Sequence, residues 1–472
     1  MKAEDRTLQD APPSARLPAG IWKIVSVAAI GSFMSQLDAT IVNVSLPDLV
    51  TTLHAPFSTV QWVVSGYLLA LALTLPLNGW LVDRFGGRTI YLGCFAGFTV
   101  TSALCALAWS APSLIAFRVL QGMAGGLLAP MAQMTIARAA GKQLPRVASA
   151  VTLPILLAPL LGPVVAGGIL SVASWRWIFL LNLPFGLVAL LLASMFLPDD
   201  RQECRPRRLD IAGLALLSPA LIALLYGTDH MGQRTGQGLL CLAVVMGILY
   251  LRQAHRKGAH ALIDLALFRA PVFSASALIM FMVNGVAFAG QMLLPVWLIH
   301  ACGIPAERTG WFMAPLGVGM MCTYPLTGRL TAHFGIRRLT RYGAICSGLG
   351  TLMLAVLACS GFNIFILATA LFLRGAGTGI IGIPAMSAGY ASVAPAEIPM
   401  ATVALNIVQR IGGPTLTTLC ATLLGWRLSH ATTPPAVSAA FTAAFGLLCV
   451  FHGCLLLATF RLPKATSRRA RP

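Results

Sequence analysis

Apolar runs about as long as a bilayer is thick recur from one end of this chain to the other. A helix needs about 20 mostly apolar residues to cross the hydrocarbon layer. Fourteen stretches qualify, approximately 22–46, 57–81, 89–109, 112–137, 147–171, 177–197, 210–229, 236–254, 271–298, 309–333, 339–360, 364–390, 401–424 and 437–462. Their internal Gly and Pro are tolerated where neighbouring helices satisfy the freed backbone groups. Composition agrees: 57% of the 472 residues are hydrophobic and 10% charged, against about 25% charged in soluble domains. The expectation is an all-α membrane protein, and an ordinary cytosolic enzyme is ruled out.

The formal charge of +19 would suit a nucleic-acid binder, but such a protein needs its cations on a broad wet surface. Here they sit in short segments between apolar runs. With the N-terminus cytoplasmic, inside segments hold 26 of the 33 Lys and Arg. Outside loops hold Arg176, Arg234, Arg308 and Arg427, and three more, Arg118, Arg374 and Arg410, lie within the runs. That asymmetry follows the positive-inside rule. Both termini are therefore expected in the cytoplasm, and the partner is a lipid bilayer rather than nucleic acid. The run at 22–46 exceeds the roughly 7–15-residue core of a cleavable signal peptide, so it reads as a retained first helix. The 11 cysteines are scattered without a C-x-x-C pair, which argues against a disulfide framework and a zinc site.

The chain also repeats itself. GWLVDRFGGR at 79–88 recurs as GRLTAHFGIRR at 328–338, an offset of 249. Arg118, opening RVLQGMAGG, is matched with Arg374, opening RGAGTGIIG, at 256, and Gly162–Pro163 with Gly413–Pro414 at 251. The expected organisation is an N-terminal tail (1–20), a six-helix bundle (21–198), a linker with two additional helices (199–270), a second six-helix bundle (271–462) and a basic tail (463–472). Duplicated bundles are a transporter architecture, with substrate handled between the repeats. Gly377, Gly379 and Gly382 match a dinucleotide fingerprint. That motif needs a preceding strand and a βαβ unit, so packing inside an apolar helix explains it better. No phosphate-binding P-loop motif is present.

Several stretches resemble the major facilitator superfamily, and within it the fourteen-helix drug:proton antiporters of the EmrB/QacA type. They are LDATIVNVSLP (37–47), GWLVDRFGGR (79–88), RVLQGMAGG (118–126), LLAPLLGPVVAGG (156–168), WRWIFLLNLPFG (175–186) and ATVALNIVQRIGG (401–413). Ala158 and Ala166 depart from Gly in the helix 5 signature, and His333 from a frequent Asp in the second loop. The resemblance implies the major facilitator fold: two six-helix bundles and two extra helices, fourteen in total. It implies a proton-coupled exporter of small amphipathic organic compounds in the cell (inner) membrane. The proton gradient supplies the energy and no cofactor is expected; a membrane fusion protein is a candidate partner by resemblance alone. An uptake symporter is the near alternative, and a non-transporting membrane sensor a remoter one.

Asp38 is the one acid deep inside an apolar run. Such a charge costs roughly 2.5–3.5 kcal/mol to insert, so it needs a partner, a wet cavity or a proton. Arg118 lies at similar depth, and the two are the proton-coupling candidates. Gln36, Gln121, Arg374 and Arg410 are the candidate cavity residues. Gly79, Asp83, Arg84, Gly86 and Arg88 form a candidate gate loop, with Asp83 as a latch. Gly162, Pro163, Gly167 and Gly168 form the antiporter motif, read as close helix packing or sealing.

Overall fold

The computed structural model describes residues 19–140, 144–147, 161–162, 165–200, 208–431 and 433–463. Every regular element among them is helical. The first part contains α1 (Ala19–Val44), α2 (Trp62–Thr74), α3 (Asn78–Phe85), α4 (Gly87–Ala106), α5 (Ala111–Ala140) and α6 (Asn182–Phe196). These are followed by α7 (Ile211–Asp229) and α8 (Arg234–Lys257). Then come α9 (Pro271–His300), α10 (Ala306–Thr323), α11 (Thr327–Phe334) and α12 (Ile336–Ser360). The last are α13 (Ile364–Gly379), α14 (Gly382–Ala391), α15 (Ile398–Ser429) and α16 (Pro434–Thr459).

Among the described residues, eleven helical stretches are long and apolar enough to cross a membrane. The run at 147–171 lies largely outside the described residues. The runs at 309–333 and 401–424 are helical, as α10 with α11 and as the 32-residue α15. Arg308 near the start of α10, and Asn406, Gln409 and Arg410 in α15, lower the mean hydropathy of these helices.

Two compact units divide the chain. One comprises Met1–Leu225, Leu239–Leu265 and Ala394–Val403; the other comprises Tyr226–Gly238, Ala266–Val393 and Ala404–Pro472. In the first, α5 lies directly on α2, and glycines set the separation. A methyl on Gly122 would overlap the Tyr67 carbonyl, and one on Gly126 the Leu71 carbonyl. In the second, Gly375 meets the Leu316 carbonyl of α10 and Gly379 meets Thr323. Gly377 lies against Gly343 and Ser347 of α12, so Gly377 and Gly379 of the fingerprint-like set serve helix packing, as membrane helices commonly use them.

Each unit has its own apolar core. Ile41, Leu114, Trp175 and Phe179 are buried together in the first. Leu294, Trp297, Phe441 and Phe445 are buried in the second, with Trp297 edge-on to Phe445 at 6.0 Å between centroids. Outward faces are apolar too: Leu187, Leu191 and Met195 share one exposed face of α6, and Val244, Val245, Ile248 and Leu249 are exposed on α8. Contiguous patches of that kind belong against lipid or another apolar partner.

Candidate functional site

The first unit encloses a polar cluster with no access to solvent. Asp38, Arg118, Gln121 and Ser102 are all 0% exposed, and they come from α1, α5 and α4. Arg118 Nη1 lies 2.5 Å from Asp38 Oδ2. The same nitrogen donates to Gln121 Oε1 at 2.7 Å, and Arg118 Nε donates to the Val63 carbonyl at 3.0 Å. The guanidinium also lies over the Tyr67 ring, 4.0 Å from its centroid. The second carboxylate oxygen, Oδ1, accepts from Asn182 Nδ2 at 2.8 Å and Gln121 Nε2 at 3.2 Å. Ser102 Oγ accepts from Gln121 and Asn182, at 2.6 and 3.3 Å.

Both oxygens of Asp38 are thus held by donors. Arg118 Nη2, by contrast, is buried with no hydrogen-bond partner among the described residues. The pair's mutual attraction must offset the desolvation of two ions, and removing either partner typically costs about 3–5 kcal/mol. Chemically, the cluster is a carboxylate with a fixed counter-charge on a different helix. Separation of α1 from α5 would expose a site able to take a proton.

The sequence-predicted residues separate here. Asp38, Arg118 and Gln121 converge. Gln36 does not: it is exposed, because two residues along a helix turn a side chain through about 200°. Asn182 and Ser102 were missed, although Asn182 stands as a polar residue in the otherwise apolar stretch WRWIFLLNLPFG.

Arg374 and Arg410 belong to the other unit. Arg374 is 3% exposed and donates to the Val286 carbonyl at 2.6 Å. A methyl on Gly290 would overlap its guanidinium. Backbone pairing thus answers its lack of an acid, and Arg410 is half-buried on α15.

The packing corrects the register of the repeat. Tyr67 and Leu316, which receive Gly122 and Gly375, are 249 residues apart, whereas those glycines are 253 apart. Arg374 therefore stands where Gln121 does, and Leu371 where Arg118 does. The physical reason is an extra turn: α12 has 25 residues against 20 in α4.

The gate loop is compact. Gly86 has φ 83° and ψ 148°, a region essentially confined to glycine. Gly79 is buried against Val403 and Met400, residues of the same unit. Asp83 is half-buried. Arg84 is exposed and lies over the Trp80 ring at 5.5 Å. Arg88 donates to the Ser194 carbonyl at 2.6 Å. An acid that the sequence did not single out, Asp200, accepts from the Gly87 and Arg88 N–H groups at 2.7 and 3.2 Å. It also pairs with Arg138 at 3.2 Å.

In the antiporter motif, a methyl on Gly162 would overlap Thr40 of α1. Gly167 and Gly168 are exposed and face open space, so tight packing does not explain them. Pro163 lies outside the described residues. Among the described residues no group of three or more His, Cys, Asp or Glu could hold a metal ion.

Comparison with known proteins agrees with this architecture. Residues 28–417 match the family described as Major Facilitator Superfamily. The chain is 34% identical over 424 residues to a protein named multidrug resistance protein B homolog in Mycobacterium tuberculosis, covering 88% of this chain and 78% of that protein. Among solved structures, the human organic anion transporter MFSD10 is similar with a TM-score of 0.63 and 16% identity, over 92% of this chain and 100% of that one. The proton:xylose symporter XylE gives a TM-score of 0.60 and 15% identity, over 91% and 94%. The chain belongs to the major facilitator superfamily, a family of membrane transporters and not of enzymes.

Proposed function

We propose that this protein is a proton-coupled exporter of small amphipathic organic compounds, working by alternating access in the cell (inner) membrane. The observation that carries this reading is the buried Asp38–Arg118 pair with its Gln121 and Asn182 donors. The multidrug-resistance name of the Mycobacterium tuberculosis relative supports the direction and the substrate class. Fourteen membrane-spanning helices, with both termini cytoplasmic, complete the proposal; the charge asymmetry of the loops supports that orientation.

In this mechanism Asp38 is the proton acceptor. While ionised it holds α1 to α5 through Arg118. Protonation removes the carboxylate's charge, so the Coulombic tie to Arg118 is lost and the helices are free to rearrange. Substrate binding favours the state in which Asp38 releases its proton. Exchange requires only that the two occupancies exclude one another. Asp83 and Arg88 act at the loop where the closed state is held, and Arg374 and Arg410 belong to the opposing half of the transport path.

Everted vesicles carrying wild type or Asp38→Asn would test the coupling. The variant is expected to lose uphill, proton-driven accumulation while keeping downhill substrate exchange, which needs no proton. Proton-driven accumulation by Asp38→Asn at the wild-type rate would overturn the role given to Asp38.

A further inference from the structure

The starts of α4 and α12 are built alike, yet among the described residues only the first has a negative charge beside it. Both follow a glycine with positive φ, Gly86 at 83° and Gly335 at 77°, set 249 residues apart. At α4 the first N–H groups, of Gly87 and Arg88, are taken by Asp200, a residue shortly beyond the end of α6. At α12 the corresponding N–H groups belong to Ile336 and Arg337, and neither meets an acceptor among the described residues.

Immediately beyond α16, as Asp200 lies shortly beyond α6, come Phe460 and Arg461. They bring an aromatic ring and another positive charge instead of a carboxylate. Arg341 lies over the Phe460 ring at 4.2 Å and Arg337 at 5.8 Å. The Nε atoms of both arginines are buried and have no hydrogen-bond partner among the described residues. Arg338 and Arg461 are exposed at the same end. No carboxylate pairs with any of these four among the described residues.

We propose that this end of the second unit binds the phosphate headgroup of an anionic phospholipid, which takes the place that Asp200 fills in the first unit. Guanidinium groups match phosphate oxygens in geometry as well as charge, and free N–H groups at a helix start favour the same ligand. Position selects lipid over a dissolved anion. Both α12 and α16 are candidate membrane spans, so their ends lie at headgroup level. Phe460 and Tyr342 are 46% and 49% exposed there, offering apolar contact for the upper acyl chain that free phosphate could not use.

The full-length protein, delipidated in neutral detergent, would be tested with phosphatidylglycerol and phosphatidylcholine by native mass spectrometry and thermal melting. Wild type is expected to retain phosphatidylglycerol selectively and to melt higher in its presence. Arg337→Gln with Arg341→Gln is expected to weaken that binding roughly thirtyfold, from about 1 kcal/mol for each interfacial arginine. Arg252→Gln with Arg256→Gln removes equal charge from an exposed stretch of α8 and is expected to keep selective binding. Equal retention of both lipids by wild type would overturn the site. So would an unchanged preference in the Arg337/Arg341 variant, or equal loss in the α8 variant. Displacement of phosphatidylglycerol by millimolar inorganic phosphate would overturn the assignment to lipid.

Discussion

Asp38 and Arg118 illustrate how a residue's chemistry limits its neighbours. Arg118 reaches Asp38, Gln121 and the Val63 carbonyl at once from two nitrogens, Nη1 and Nε, held apart in a planar fork that the single nitrogen of an ammonium does not offer. Arg118→Lys keeps the charge but gives up at least one of these bonds, each worth about 1.5–3 kcal/mol when a charged group takes part. Proton-driven transport is expected to fall by about tenfold or more, with a lower melting temperature in detergent; wild-type values for both would show that the geometry is not needed. The pair was legible in the sequence because each residue is a charged side chain inside an apolar run, at matching depth. Asn182 was not, since a neutral amide in such a run has many packing roles. Asp200 sits in the run LPDD, where the chain reads as an ordinary polar loop, and its partners are more than 60 residues away.

Among the helices, close approach depends on a few glycines, and the structure sorts those that matter from those that do not. Gly122 and Gly126 face the α2 backbone, whereas Gly167 and Gly168 face open space. Gly122→Ala and Gly126→Ala are expected to destabilise the folded protein by about 1–3 kcal/mol each through overpacking. Gly167→Ala and Gly168→Ala are expected to stay within about 0.5 kcal/mol of wild type. Melting curves of the four variants decide this; a loss at Gly167 or Gly168 matching that at Gly122 would contradict the packing described. The sequence marks all four as glycines in helical runs. Which neighbour each one meets depends on how the helices are rotated about their axes, and that is settled by contacts with other helices.

For the whole molecule, helices α7 and α8 are fastened to each other by one carboxylate. Asp210 accepts from Lys257 Nζ at 2.6 Å, Gln253 Nε2 at 2.8 Å and the N–H groups of Gly213 and Leu262 at 2.9 and 3.2 Å. Burial opposes its ionised form, but the bonds from Lys257, Gly213 and Gln253 outweigh that and hold its carboxyl below the usual carboxylate range. A carboxyl lowered in the folded state stabilises it fully above the unfolded value of about 3.9, and that contribution is lost as pH falls through the folded value. Thermal stability of the wild type is therefore expected to drop more steeply below about pH 4 than that of Asp210→Asn, which lacks this titration. Parallel curves for the two proteins would show that Asp210 does not fasten the pair.

Taken alone, the sequence determined that this chain is helical and membrane-embedded, that it repeats, and that Asp38 and Arg118 are exceptional. Those properties depend on local composition, because about 20 apolar residues must cross lipid as a helix and a charge among them stands out. Tertiary structure decided the rest. It brought Asn182 and Ser102 to Asp38, turned Gln36 away, shifted the repeat by a turn so that Arg374 matches Gln121, and put Asp200 over the start of α4. Each of these depends on helix rotation and register, which follow from how surfaces pack against one another and are not encoded in any single apolar run.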